Sequence, residues 1–176
     1  AGKHAIVTKP MEANTAACNR MIAAAERAGR LLAIDFSMRL DAHIQRIRQR
    51  VENGDLGELR GGTASLKVQR TDEYFAANGA WRGTRALDGG GVMSNQNIHH
   101  LDELIYTLGV PARVSMQCWT QAHRIEAEDL ASALWRYPNG ATIQIFATTC
   151  YPQDTWYTSL ELYGDKGAMT RAAGGP

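Results

Sequence analysis

The chain has 176 residues, 44% hydrophobic and 21% charged, with a formal net charge of +1, a composition that fits one well-buried core or one domain and part of another. The scatter of its nineteen basic residues excludes an electrostatic footprint for nucleic acid or an anionic membrane. Three isolated cysteines without a Cys-x-x-Cys, and no apolar run near the ~18 residues of a membrane span, exclude a disulfide framework, a zinc knuckle and a membrane helix, so a soluble cytoplasmic chain without metal is expected.

His4 to Thr8 is a β-rich run that stops at Lys9-Pro10. Glu12 to Ala28 is an alanine-rich helical stretch ending at Gly29, and Leu31 to Phe36 is a second strand. Strand, helix and strand in so few residues make one βαβ crossover, which requires a parallel sheet. One crossover has no stable core alone, and its first strand begins almost at residue 1. The rest of that sheet is therefore expected outside this chain.

Asp41 to Asn53 places Ile44, Ile47 and Val51 on one helical face and ends at Gly54. Gly62 to Gln69 alternates, with Ala64, Leu66 and Val68 predicted to face the core. Tyr74 to Gly91 reads as a long, glycine-rich functional loop. A helix over Ser94 to Leu108 precedes three strand-like runs, Ala112 to Thr120, Leu130 to Tyr137 and Ala141 to Thr149. Asn139-Gly140 joins the last two as a hairpin. Ser159 to Tyr163 and a strand start after Gly167 complete an α+β pattern, an open and mostly antiparallel sheet with helices on one face. The boundary with the crossover falls near residue 38, giving units 1–38 and 39–176, the second expected to be incomplete at its C-terminus.

Within the helix over Ser94 to Leu108, Ile98, Leu101, Ile105 and Leu108 share a stripe predicted to face the core. Asn95, His99, Asp102 and Tyr106 flank it, whereas Gln96, His100, Glu103 and Thr107 lie nearly opposite. His99 is accordingly the sheltered histidine and His100 the solvent-facing one. An imidazole near its working pKa can take a proton from an alcohol as the carbon-bound hydrogen leaves, and Asp102 is spaced to orient it. Spacing alone favours the alternative, a partly buried histidine satisfied by its neighbours. Gly89-Gly90-Gly91 offers helix amides to an anion or simply meets a turn's needs, and no G-x-G-x-x-G follows a strand anywhere. Lys9 sits at the C-terminal end of the first strand, where ligands bind in open parallel sheets.

Four blocks carry a resemblance. GKHAIVTKP resembles a GKHVxxEKP segment, and GGGVMSNQNIHHLDEL a GGGxxxDxGxHxxD helix. IEAEDLASALWRYPNGA resembles the strand-turn-strand that follows, and LELYGDKGAM the late strand and turn. In this order they resemble the Gfo/Idh/MocA family of sugar and polyol oxidoreductases, from Gly2 to Gly167.

The resemblance implies that the crossover is the last of a Rossmann-type nucleotide-binding domain and that the α+β unit is the substrate domain. It implies NAD or NADP as cofactor, with Lys9 and Pro10 beside it and the pyrophosphate-binding loop outside the chain. Lys9 and His99 are the implied catalytic residues, and Asn95, Trp81, Arg82, Arg39 and Tyr151 the implied substrate contacts. Thr8 stands where the family has glutamate, and Asn95 where it commonly has aspartate. The expected function is oxidation of a hydroxyl on a sugar, sugar nucleotide or cyclitol, in a homo-oligomer assembled through the open sheet. The 176 residues alone are expected to be inactive. The alternative is a non-catalytic sugar-binding or dimerisation module built on the same fold.

Overall fold

Short β-rich runs on either side of an alanine-rich helix pair in parallel. In the computed structural model, which describes residues 2–152 and 156–174, β1 (Ala5–Thr8) lies beside β2 (Leu32–Asp35) with Ala5 opposite Leu32. The crossover helix α1 (Thr15–Arg27) starts where the Asn14 side chain accepts the Ala17 amide at 2.9 Å. Up to Asp35, Ala17 is the one buried side chain among the described residues. Ile6 is 78% exposed and Leu31 72%. As expected, this crossover has no core of its own.

The remainder is built on a six-stranded sheet. Its strands are β3 (Leu59–Val68), β4 (Arg113–Trp119), β5 (Leu130–Arg136), β6 (Thr142–Thr148), β7 (Trp156–Gly164) and β8 (Ala168–Ala173), in the order β4-β5-β6-β3-β7-β8. Only the β3–β6 pairing is parallel; the others run antiparallel. Alternation puts Ala64, Leu66 and Val68 of β3 on the buried face, as the period of two predicts. Leu66, Ile143, Ile145 and Leu162 form the centre of the core with Leu104 from α4 (Ile98–Leu108). The helix α2 (Ala42–Glu52), capped by Asp41 through the His43 and Ile44 amides, adds Ile47 and Val51 at its margin. Ser65, Ser159, Leu134 and Tyr163 lie on strand positions alternate to these core residues, the last two exposed.

Three departures from the sequence reading concern the stretch before and within α4. A short helix α3 (Asp72–Ala76), capped by Thr71, sits at the start of the segment read as loop. The helix α4 begins at Ile98, so Asn95 stands on a turn ahead of it rather than on a helical stripe. The predicted phase also shifts, although Leu101 and Leu108 do pack at the margin of the core. His100, Glu103 and Thr107 are buried, whereas Ile105 is 37% exposed. Burial of this polar face is possible because one guanidinium nitrogen of Arg171 in β8 reaches both oxygens of the Glu103 carboxylate, at 2.7 and 2.5 Å, and the His100 ring lies 3.4 Å from it. A charge paired this way need not face water, so hydropathy alone mis-phased the helix.

The glycine triplet resolves towards the turn. Glu128 takes the amides of Gly91 and Met93 on its carboxylate, at 3.1 and 3.0 Å, and that of Val92 on its carbonyl at 2.9 Å. The chain's own carboxylate thus occupies the donors that an external anion would need. Gly89, at φ +78°, lies against the α1 approach, where a Cβ would come within 2.4 Å of the Ala13 carbonyl oxygen.

Candidate active site

The end of β1 carries Lys9 across the gap between the two units. Its ammonium donates to the Asn95 carbonyl at 2.5 Å and to the Asn95 side-chain oxygen at 3.3 Å. Two of its three N–H donors are thereby directed at one residue, leaving the third for an incoming oxygen. Half-burial pulls the Lys9 pKa below its ordinary value, Arg70 adds to the effect, and Asp88 opposes it.

His99 occupies the first turn of α4 with its ring edge-on to Phe36, centroids 6.0 Å apart. Its Nδ1 is buried without a hydrogen-bond partner among the described residues. Burial lowers the pKa, and the positive charge of Lys9 and the neighbouring His100 lower it further, against the opposing pull of Asp102 and Asp35. The neutral ring, which is the proton-accepting form, is favoured.

Asp102 does not orient His99. Both its carboxylate oxygens accept from Arg39, at 2.7 and 2.5 Å, and no hydrogen bond joins it to the imidazole among the described residues. A two-pronged guanidinium satisfies a buried carboxylate better than one ring nitrogen does, so the spacing that suggested a histidine partner instead serves an ion pair between the interunit segment and α4. Arg39 also lies over the Phe36 ring, 5.6 Å from its centroid, and so borders His99 indirectly.

Of the other residues singled out, Trp81 joins Lys9 and Pro10 in lining one cleft of about 280 Å³, together with Thr8, Leu87 and Asp88. Arg82 stacks over Trp81 and Tyr74, at 4.7 and 4.8 Å, and lines a separate cavity of about 640 Å³ with Arg124 and Ile125. The Tyr151 ring centroid lies 6.0 Å from the Lys67 ammonium, and among the described residues no hydrogen bond joins Tyr151 to Lys9, Asn95 or His99. His123 is bound to Asp129 at 3.0 Å and to the Arg70 carbonyl at 2.7 Å, bracing the turn between β4 and β5.

Sequence reasoning missed Asp88. It is 3% exposed and accepts the Asn95 side-chain amide at 2.9 and 3.2 Å and the Gly83 amide at 2.8 Å. It lies in an irregular segment where no periodicity distinguishes a buried acid from a solvated one; its position just ahead of the glycine triplet was the available signal.

With respect to a dinucleotide cofactor, the described residues fit one end only. Lys9 and Pro10 line the cleft at the end of β1, where a nicotinamide would lie, whereas among the described residues no glycine-rich turn joins a strand to a helix to hold a pyrophosphate. No helix among the described residues is long and apolar enough to cross a membrane.

Residues 44–170 match the GFO/IDH/MocA C-terminal domain family. The chain is 33% identical over 167 residues to 1-carboxy-3-chloro-3,4-dihydroxycyclohexa-1,5-diene dehydrogenase of Comamonas testosteroni, covering 93% of the chain and 40% of that protein. It is 34% identical over 113 residues to D-glucoside 3-dehydrogenase of Escherichia coli K12, covering 64% of the chain and 31% of the relative. Its fold superimposes on the WlbA dehydrogenase of Bordetella pertussis, solved with NADH and UDP-GlcNAcA, with a TM-score of 0.94 at 31% identity, covering 98% of this chain and 49% of that one. The chain thus spans half or less of the length of these relatives. Matched in sequence over most of its length and in fold over nearly all of it, the chain belongs to the Gfo/Idh/MocA family.

Proposed function

We propose that this chain is the substrate-facing part of an NAD- or NADP-dependent dehydrogenase that oxidises a hydroxyl of a sugar, sugar nucleotide or cyclitol. The observation that carries the reading is the Lys9 ammonium, with one donor to spare, held from the other unit on Asn95 and close enough to the half-buried His99 for its charge to act on the ring. A bound nicotinamide supplies the acceptor for the carbon-bound hydrogen. Lys9 holds the substrate oxygen and stabilises negative charge developing on it, and neutral His99 accepts the hydroxyl proton at Nε2. Asn95 fixes Lys9, and Trp81 offers a flat apolar wall for a sugar ring. The relatives named above support the substrate class, since their names give a glucoside, a dihydroxylated ring acid and a complex with a sugar nucleotide.

In this reading residues 1–38 close a nucleotide-binding domain completed by further sequence, and 39–176 bind substrate. The open sheet face, with Leu134 and Tyr163 exposed, is the proposed contact between protomers. That same exposed face favours the second reading, a non-catalytic assembly module. The test is His99→Ala in the full-length protein, with hydride transfer followed by NADH absorbance. A loss in kcat on the order of 10²- to 10⁴-fold is expected. In the unaltered protein, the acid limb of kcat/KM should lie below the ordinary histidine range, because protonation of a ring with a lowered pKa begins only at lower pH. Unchanged turnover on removing His99 overturns the proton relay. The 176 residues by themselves should neither bind NADH stoichiometrically nor form it.

A further inference from the structure

Asp88 is almost wholly buried, yet no lysine, arginine or histidine touches it among the described residues. A carboxylate in that position is costly unless its lone pairs are satisfied and a positive charge lies close by. Its donors are the Gly83 amide and the side-chain amide of Asn95. Carboxylate oxygens only accept, so the Asn95 Nδ2 must face Asp88 and its Oδ1 must face Lys9. One buried acid therefore sets which end of Asn95 meets the ammonium. The positive charge that compensates Asp88 is Lys9, one side chain further on, and the coupling appears again in the upward pull of Asp88 on the lysine.

The geometry points to Asp88 as the positioning residue of the site: through Asn95 it holds the Lys9 ammonium in place and charged, and it requires an amide rather than a carboxylate at position 95. An aspartate at 95 would set two carboxylates against each other across a hydrogen bond of 2.9 Å with no proton between them. Asn95 and Asp88 are in this sense a matched pair of amide and acid, with the acid one hydrogen bond removed from the residue that meets Lys9. The catalytic consequence rests on the function proposed above; the geometric assignment does not.

The experiment reads Lys9 directly. Besides Asp88, the charged or titratable groups that act on Lys9 are Arg70, just past β3, and His99 on α4. Trace labelling of the chain with acetic anhydride across pH, scored by mass spectrometry, gives the titration midpoint of each amine. Trypsin cuts after Lys3 and Arg20 and spares the Lys9-Pro10 bond, so the peptide His4–Arg20 contains Lys9 as its single lysine. Asp88→Asn is expected to move the Lys9 midpoint to lower pH, since it removes a negative charge that supports the ammonium. The exchanged pair Asp88→Asn with Asn95→Asp, which keeps one acid and one amide in hydrogen-bonding order, is expected to bring the midpoint back to the unaltered value or above.

A midpoint unmoved by Asp88→Asn, or not recovered by the exchange, overturns the assignment. If the single change does not fold, the exchanged pair decides: recovery of fold and midpoint supports the pairing, and failure of both refutes it. In the full-length protein the single change should lower kcat on the order of tenfold with little change in KM, and the exchange should restore it. An unaltered protein with no dehydrogenase activity, but with the labelling shifts intact, would remove the proposed function and leave the Lys9–Asn95–Asp88 arrangement standing.

Discussion

The two sides of the candidate site are held by regions of very different solidity. His99, Asn95 and Asp88 stand against a six-stranded sheet whose core runs from Leu56 to Met169, whereas Lys9 comes from a two-stranded crossover with a single buried side chain before Asp35. The contrast follows from how much apolar surface each region can cover by itself. Hydrogen bonds from Lys9 to Asn95 and the edge-on contact of Phe36 with the His99 ring, rather than a shared apolar core, link the thin region to the thick one. Geometry at the site is therefore as good as the support given to Lys9.

Three measurements on the chain sharpen or break that contrast. Leu66→Ala, at a fully buried position in β3, should cost about 2–5 kcal/mol in chemical denaturation, because the cavity is walled by neighbouring strands that cannot close over it. A loss below ~1 kcal/mol would mean that the sheet is not the stable half.

Asp129→Ala should cost about 1–3 kcal/mol, since this buried carboxylate accepts the amides of Gln121, Ala122 and His123 and the His123 ring. Burial pushes its pKa up, but those four bonds outweigh it and the net shift is downward. A depressed carboxylate stabilises the fold above its unfolded value and loses that contribution as pH falls through the lower folded value. The difference between the two proteins should accordingly shrink on acidification. A difference that stayed constant with pH would show that the charge is not the source. Smallest of all, Ile6→Ala, at an exposed position of β1, should change stability by no more than ~0.5 kcal/mol. A larger loss would place an apolar contact on β1 that the chain does not show.

The sheet was legible in the sequence because its strands repeat every two residues and the β5–β6 hairpin is marked by Asn139-Gly140, with Gly140 at φ +90°. The crossover was equally plain from its capped helix between two apolar runs. Lys9, Asn95 and His99 were reachable as a motif, and the structure brings Lys9 and Asn95 into direct contact. What escaped was whatever depended on partners far away in the chain. Glu103 is buried because Arg171 meets it 68 positions later, and Asp102 is withdrawn from His99 by Arg39, 63 positions earlier. No local pattern encodes either. Asp88 was hidden for the same reason, its role being defined by Asn95 and Lys9 together.

Gly89 has a bearing on all of this that is mechanical rather than chemical. With no side chain, it lets the backbone ahead of α1 come so near that an added carbon would sit 2.4 Å from the Ala13 carbonyl oxygen. Lys9 and Ala13 belong to the same short stretch after β1. A methyl group at position 89 would act as a shim, widening the gap that Lys9 has to span without altering any group that reacts. The reach of the lysine is in this sense gauged by an atom that is absent.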